Sequence, residues 1–190
     1  GVVFQQNAYP ENKLMNLCHG LESYHRKRFM ETYMSESDYD SVYNDLVNLI
    51  KGDPSNVYNN LDSSDENIRD KHNIPTPFVQ SLKDGTIKHA NKMSLRKRLQ
   101  QLIRATEPVI SDLPYSIVGK HEQVADTRNY FAHRTQDLKR KATLGAGLTS
   151  LNWGIQQLIE ACLLLEIGIE PDHIKNRLHS KYNAKSVTTH

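Results

Sequence analysis

The chain of 190 residues contains little cysteine, and this scarcity excludes a disulfide scaffold. Its two cysteines, Cys18 and Cys162, each lie within an apolar helical pattern, which predicts buried, reduced thiols. Long hydrophobic runs are also missing. The most apolar segment, residues 158–169, is interrupted by Glu160 and Glu166 and is too short to cross a bilayer. The sequence therefore predicts neither a disulfide-stapled domain nor a membrane span.

Several common catalytic motifs are incomplete or missing. The segment that starts at His121 begins with the His-Glu pair of a zincin helix, but Ala125 stands where the second metal-binding histidine would be. The glycines at 145 and 147 are not followed by the Gly-Lys-Ser/Thr of a phosphate-binding loop, and no Gly-x-Ser-x-Gly occurs. From these patterns we expect no bound metal and no cofactor.

The start of the chain lacks an initiator methionine. Residues 1–4 read Gly-Val-Val-Phe, and no basic region followed by an apolar region is present, as a secretory signal would require. We therefore expect a cytoplasmic domain that has been excised from a larger protein.

Apolar residues recur at helical spacing almost throughout, and neither strand alternation nor an internal repeat is visible. The longest predicted helix covers residues 145–167, and its C-terminal half is apolar nearly all round, which predicts burial on several sides. Residues 53–77 are predicted to form a polar connector or insertion, and residues 183–190 a loose tail. The predicted architecture is a single all-α helical bundle over residues 1–190.

Charge is unevenly distributed along the chain. Residues 31–70 hold ten acidic and two basic residues, whereas residues 88–106 hold six basic residues and no acidic one. Among these, Arg96 and Arg98 are predicted to turn away from the apolar side of a helix. A second basic cluster lies within residues 134–141. A net charge of +2 can thus include a positive face that holds a polyanion, although a solvated helix face explains each single cluster as well.

One group of polar residues, Arg-Asn-x-x-x-His, lies near the end of a predicted helix. Because a helix has 3.6 residues per turn, Asn129 and His133 share a face, and the long side chain of Arg128 can reach the same edge. A fixed cation, an amide and a titratable imidazole therefore converge. The spacing alone leaves an alternative open, in which Arg128 pairs with Asp126 or Glu122 and His133 caps the helix C-terminus.

Three segments together resemble the HEPN ribonuclease superfamily, and more narrowly the Apea-like HEPN domains of bacterial defence proteins. They are residues 21–29 in the first predicted helix, residues 94–99 before the middle helix, and residues 124–133. The segments have the order and rough spacing of that family, and the likeness extends from about Leu14 to Leu178. Arg-Asn-x-x-x-His is the active motif of the superfamily.

The resemblance implies a helical bundle that forms a homodimer, brings two motifs together across a two-fold axis, and cleaves RNA without a metal ion. Arg128 would clamp the scissile phosphate and offset its growing charge. His133 would act as general base or general acid, and Asn129 would orient the imidazole or line the phosphate cleft. The nucleophile would be the 2′-hydroxyl of the RNA, so DNA would resist cleavage and products would carry a cyclic phosphate.

The resemblance and the basic clusters imply further RNA-binding residues: Arg134, Arg96, Arg98, His25 and Arg26. For the first helix, a surface pair of Glu22 with Arg26 is the alternative. The implied role is antiphage defence or abortive infection, with a sensor domain N-terminal to this chain. Two other functions stay open: a non-catalytic HEPN module that binds RNA or dimerises, and an all-α interaction domain with no nucleic-acid role.

Overall fold

The computed structural model describes residues 9–51 and 72–187 of the chain. Internal contacts divide the chain into two compact units. The bundle unit comprises Gly1–Phe29 and Ser94–His190, and the insert unit comprises Met30–Met93. The described residues form helices and no strand, so the all-α prediction is confirmed. The prediction of one domain over the whole chain stays a prediction.

Eight α-helices lie in the described residues, and we number them in chain order. They are α1 (Pro10–Arg28), α2 (Glu36–Lys51), α3 (Thr76–Ser81), α4 (Leu95–Ile110), α5 (His121–His133), α6 (Gln136–Lys141), α7 (Ala146–Glu166) and α8 (Pro171–Val187). A π-helical turn, Leu82–Thr86, and a 3₁₀ turn, Ile87–His89, follow α3. The bundle unit thus contains α1 and α4 to α8, and the insert unit contains α2 and α3.

Local sequence signals set the helix ends of the bundle unit. Pro10 and Pro171 occupy the first turns of α1 and α8, where a missing backbone N–H costs nothing. The Oγ atom of Ser94 caps α4 by accepting the N–H of Lys97 at 3.3 Å, as its position in the sequence predicts. Gly168 ends α7 in a Schellman motif, in which the N–H groups of Gly168 and Ile169 donate to the carbonyls of Leu165 and Leu164. Its φ of 80° is a conformation that a residue with a Cβ adopts only with strain.

The core of the bundle unit forms where α1 and α4 pack against α7, with α5 on α1 and α8 on α7. Its largest fully buried side chains are Leu14, Leu17, Leu21, Leu99, Leu102, Ile110, Ile117, Ile155, Leu158, Ile174, Leu178 and Tyr182. Both cysteines are buried and free, which confirms the predicted thiols. Burial raises the pKa of Cys18 and of Cys162 to about 12, because a low-dielectric interior disfavours the thiolate.

The middle of α7, rather than its C-terminal half, is its most buried part. Leu151, Ile155 and Leu158 are all at most 5% exposed, whereas Leu163 is 50% exposed. Gly154 allows this burial, since a Cβ there would overlap the carbonyl oxygen of Tyr115 in the loop between α4 and α5. The predicted burial of the apolar C-terminal half was therefore wrong for Leu163, whereas Ala161 and Cys162 in that half are buried.

The side chain of Asn91 joins the two ends of the insert unit by hydrogen bonds. The Asn91 amide oxygen accepts the backbone N–H groups of Tyr33 and Met34 at 3.1 and 3.0 Å, and its nitrogen donates to the Met34 carbonyl at 3.1 Å. Near it, Thr32 and Lys92 form an isolated antiparallel bridge. Asn91 thus joins the beginning of the unit to its end.

Two predictions concern segments at the limits of the description. Of the predicted polar connector 53–77, residues 53–71 lie outside the described residues, and α3 already begins at Thr76. Helix α8 continues to Val187, so the tail does not begin at 183; residues 188–190 lie outside the described part. Before that point, Tyr182 is fully buried and donates to Glu160 Oε1 at 3.0 Å.

No helix in the described ranges is both long and apolar enough to span a membrane.

Candidate active site

The Arg-Asn-x-x-x-His motif lies on α5, which ends at its histidine. Val124, Ala125 and Thr127 are the buried residues of this helix and pack it into the bundle unit. The Thr127 hydroxyl donates to the carbonyl of Gln123 at 2.6 Å and accepts the backbone N–H of Thr143 at 3.0 Å. The second bond joins α5 to the segment after α6, so the helix that carries the motif is held by this bond as well as by its buried side chains.

Arg128 lies on the packed side of α5 and is half-buried. Its Nη1 atom donates to Asn129 Oδ1 at 3.3 Å, and its buried Nε atom has no hydrogen-bond partner among the described residues. The guanidinium lies close enough to α1 to act on the pKa of Cys18, which it lowers, although burial outweighs this effect. The Nε donor itself is closed to solvent, but the half-buried guanidinium carries a fixed positive charge of the kind that binds an anionic ligand.

His133 is exposed on the last turn of the same helix. Within the described parts of the chain it makes no hydrogen bond or ion pair, and the residue that caps the helix C-terminus is Arg134. The alternative in which His133 acts as a cap is therefore not what the structure shows. Since Asn129 lies one turn before His133, the imidazole and the amide share one stripe of α5.

Asp126 belongs to this stripe and binds a cation from another helix. Its Oδ1 atom accepts from Arg96 Nη2 of α4 at 2.8 Å. Arg128 therefore pairs with neither Asp126 nor Glu122. Asp126 was predicted only as a partner of Arg128, although its spacing of three and seven residues from Asn129 and His133 places it beside them. The ion pair holds Arg96 near the motif, half-exposed.

Two predicted RNA-binding residues, His25 and Arg98, lie in the interior of the bundle unit. His25 is fully buried and Arg98 is 4% exposed. The imidazole stacks on Phe29 with 4.9 Å between ring centroids, and its Nε2 atom lies 2.6 Å from Gln101 Oε1. Arg98 Nη1 lies 3.4 Å from His25 Nδ1; because guanidinium only donates, Nδ1 accepts and the proton is on Nε2.

The prediction that Arg98 turns away from the apolar side of α4 was wrong. Arg98 precedes Leu99 and lies one turn before Leu102, so it sits at the edge of the buried stripe. A buried imidazole and guanidinium offer no surface to a nucleotide, and we assign these two residues to the packing of α1 against α4.

The first helix presents Arg26 to solvent but does not pair it as the alternative supposed. Arg26 Nη2 donates to Ser23 Oγ at 3.4 Å, and Glu22 has no hydrogen-bond or ion-pair partner among the described residues. Glu22 is instead one turn from Cys18 and raises the pKa of that thiol. No hydrogen bond joins Arg26 to the motif within the described residues.

Arg134 follows the motif directly and covers two aromatic rings. Its guanidinium carbon lies 4.9 Å from the ring centroid of Phe131 and 5.4 Å from that of Tyr130. Beyond it, α6 ends with Lys139, Arg140 and Lys141, as the second basic cluster predicts. The C-terminal end of α5 is thus strongly cationic.

Two grooves of the bundle unit lie away from the motif. One is formed by α1 and α7 and is lined by Asn16, Leu17, Gly20, Leu21, Tyr24, Ile159, Cys162 and Leu163. A neighbouring one is formed by α1, α4 and α7 around Tyr24, Phe29 and Thr106. Neither is lined by Arg128, Asn129 or His133, so within the described residues of one chain the motif lies outside both grooves.

The chain matches a known protein family over most of its length. Residues 15–173 match the family model described as Apea-like HEPN, from α1 into α8 and including the motif on α5. No curated protein and no solved structure matched the chain.

Proposed function

Because the chain belongs to the Apea-like HEPN family, we propose that it is an endoribonuclease that cleaves RNA without a metal ion at a site shared by two subunits. Members of the HEPN superfamily are commonly ribonucleases, and this supports an RNA-related role. The single observation that carries the proposal is the state of His133. Its imidazole is exposed and unpaired among the described residues, and it lies on the same stripe of α5 as Asn129, to which the Arg128 guanidinium is bonded.

The proposed reaction transfers the phosphoryl group to a neighbouring oxygen within the RNA. The imidazole of one His133 takes the proton of a 2′-hydroxyl while the O2′ atom forms a bond to phosphorus. Negative charge grows on the non-bridging oxygens, and the guanidinium of Arg128 offsets it. The bond from phosphorus to O5′ then breaks, and O5′ takes a proton from a second imidazole. The products are a 2′,3′-cyclic phosphate and a 5′-hydroxyl end.

Two protonation states are required at once, and this argues for a dimer. One imidazole must be neutral to accept a proton, while the other must be charged to donate one. A single chain presents one His133 in the motif, so a second copy related by a two-fold axis supplies the other. A two-fold axis near the end of α5 would also bring the Arg128 side chains of both subunits to one phosphate.

Cleavage in the presence of EDTA tests this proposal. Purified protein is incubated with single-stranded RNA and with DNA of the same sequence, and fragments are counted over time. We expect RNA cleavage and intact DNA, and His133→Ala should lower the rate by about 100- to 10,000-fold, the range for loss of a general acid or base. His173→Ala is the matched control, since this histidine is also exposed but lies on α8. Equal rates for wild type and His133→Ala would refute the proposal.

A non-catalytic RNA-binding module is the second candidate, and the cationic end of α5 and α6 favours it independently of His133. In that case RNA binding would depend on salt, no cleavage would occur, and Arg96→Ala would weaken binding more than His133→Ala. Absence of any RNA binding at low salt would favour the third possibility, an all-α interaction domain with no nucleic-acid role.

The cellular role we propose is antiphage defence or abortive infection, in which RNA cleavage arrests the infected cell. Expression of the wild-type chain should then slow growth, whereas His133→Ala should be tolerated at the same protein level.

A further inference from the structure

We propose that Arg134, lying over Tyr130 and Phe131, forms a nucleobase-stacking site directly beside His133. The inference rests on the proposed function, because it assigns a base next to the scissile phosphate to this site. It gives Arg134 a role different from a phosphate contact.

The three side chains form a cluster in which the two rings are tilted by 53° to each other. The guanidinium carbon lies 4.9 Å from the Phe131 centroid and 5.4 Å from the Tyr130 centroid, within the distance of about 6 Å at which a cation is attracted to a ring face. The two rings are themselves 5.2 Å apart. Phe131 packs against the core of the bundle unit, whereas Arg134 is exposed. The guanidinium is therefore held on its inner side by the rings and is open to solvent on the other side.

The backbone at Arg134 is unusual for its residue type. Its φ of 55° and ψ of 27° are left-handed, and its N–H donates to the Tyr130 carbonyl at 2.7 Å to close the helix. Glycine or asparagine usually occupies such a position, because a Cβ is strained there. The other described non-glycine residue with positive φ is Asn73, which follows this rule. The chain thus accepts strain to place a guanidinium immediately after His133, and strain of this kind is concentrated at functional sites.

The chemistry of this surface fits a base better than a phosphate alone. The planes of arginine and aromatic side chains stack unpaired nucleobases, which every RNA sequence can supply. The guanidinium makes no hydrogen bond or ion pair among the described residues, so its outer face is available to a ligand. Lys139 and Lys141 on α6 supply separate cations for the backbone phosphates. A duplex keeps its bases stacked on each other, so only an unpaired nucleotide would fill the site.

Fluorescence of a base analogue tests the inference. A short oligoadenylate RNA with one 2-aminopurine is bound to the His133→Ala protein, in which cleavage is blocked. We expect the fluorescence to be quenched on binding and the matching duplex to bind more weakly. Adding Arg134→Lys, which keeps the charge but loses the planar group, should remove the quenching and weaken binding about ten-fold. The dependence of affinity on salt should stay the same, since the charge is unchanged.

Lys139→Ala is the matched control. It should lower the salt dependence, by about 0.7 in the logarithmic slope for a single strand, and leave the quenching intact. Arg134→Gly should lose the quenching while its melting temperature stays the same or rises, because the backbone strain is relieved. If Arg134→Lys keeps both affinity and quenching, the stacking inference is overturned, and wild-type cleavage would still support the ribonuclease. Quenching without wild-type cleavage would support the stacking site and refute the catalytic proposal. No binding and no cleavage would refute both.

Discussion

The bundle unit contains two groups of an arginine, a histidine and an amide, and they differ in how their polar atoms are used. In the first, His25 lies between Arg98 and Gln101, fully buried and with both ring nitrogens engaged. In the second, His133 is exposed and unpaired in the described structure, and Arg128 keeps a buried donor without a partner. The same residue types are thus satisfied internally in one place and left open in the other.

The difference distinguishes polar residues that stabilise the fold from polar residues that are available to a ligand. Buried polar groups are expensive unless each is hydrogen-bonded, so a satisfied cluster contributes to stability. An arginine and a histidine that are held in place yet incompletely bonded contribute little to stability and are available to a ligand. The comparison therefore predicts opposite consequences for equivalent substitutions in the two groups.

The largest effect is expected from the two arginines. Arg128→Gln should lower RNA cleavage by about 100- to 1,000-fold, because one donor that stabilises charge in the transition state is lost. The melting temperature should change little, since the guanidinium makes only a weak bond to Asn129. Arg98→Gln is the matched substitution. It should lower the melting temperature and leave the rate of RNA cleavage by the folded protein nearly unchanged. The comparison fails if Arg128→Gln unfolds the protein or if Arg98→Gln is as stable as wild type but inactive.

The two histidines should differ in stability. His25→Ala leaves the partly buried Gln101 and the buried Arg98 each without one partner and removes the stack on Phe29, so we expect a loss of about 2–4 kcal/mol in the free energy of unfolding. His133→Ala should change it by less than about 0.5 kcal/mol, as surface substitutions do. Urea denaturation measures both. A small effect of His25→Ala would show that the first group is not a packing element.

Alkaline pH should destabilise the interior behind the motif. Folding raises the pKa of Cys18 and Cys162 from 9.0 to about 12, so both thiols stay protonated in the folded chain while they ionise in the unfolded one. Their contribution is fully present below pH 9 and is lost as the pH rises from 9 to 12. We expect a loss of about 1–3 kcal/mol at pH 10. The double variant with alanine at both positions should show a smaller loss, and an equal loss would assign the effect to other groups.

The smallest effect concerns the ion pair between Arg96 and Asp126. An ion pair with one half-exposed partner contributes about 0.2–1 kcal/mol, so Asp126→Asn should change stability little. It should nevertheless change RNA cleavage several-fold, because Arg96 loses its anchor next to Asn129 and His133. A double-mutant cycle with Arg96→Gln measures the coupling. If the two effects on cleavage are simply additive, the pair does not position Arg96 for the RNA.

Those parts of the fold that depend on neighbouring residues could be predicted from the sequence. The helix cap at Ser94, the end of α7 at Gly168 and the shared face of Asn129 and His133 all follow from spacings of a few residues. The thiols were predicted for the same reason, since each cysteine lies within an apolar stripe.

Contacts between distant segments could not be predicted in this way. His25 is 73 residues from Arg98 and 76 from Gln101, and Arg96 is 30 residues from Asp126. No local period encodes which polar side chains of α1 and α4 face each other, so the interior cluster was mistaken for a surface. The stack of Arg134 on Phe131 was missed although it is local, because it depends on the left-handed turn that ends α5.

The ends of the RNA fragments test the central claim, that Arg128 and His133 form an open site for phosphoryl transfer, most directly. Mass spectrometry of fragments produced in the presence of EDTA identifies the group on each new end. The account predicts 2′,3′-cyclic phosphates and 5′-hydroxyls in wild-type reactions, and neither in reactions with His133→Ala. Fragments with 5′-phosphate ends, or cyclic phosphates formed equally well by His133→Ala, would contradict it.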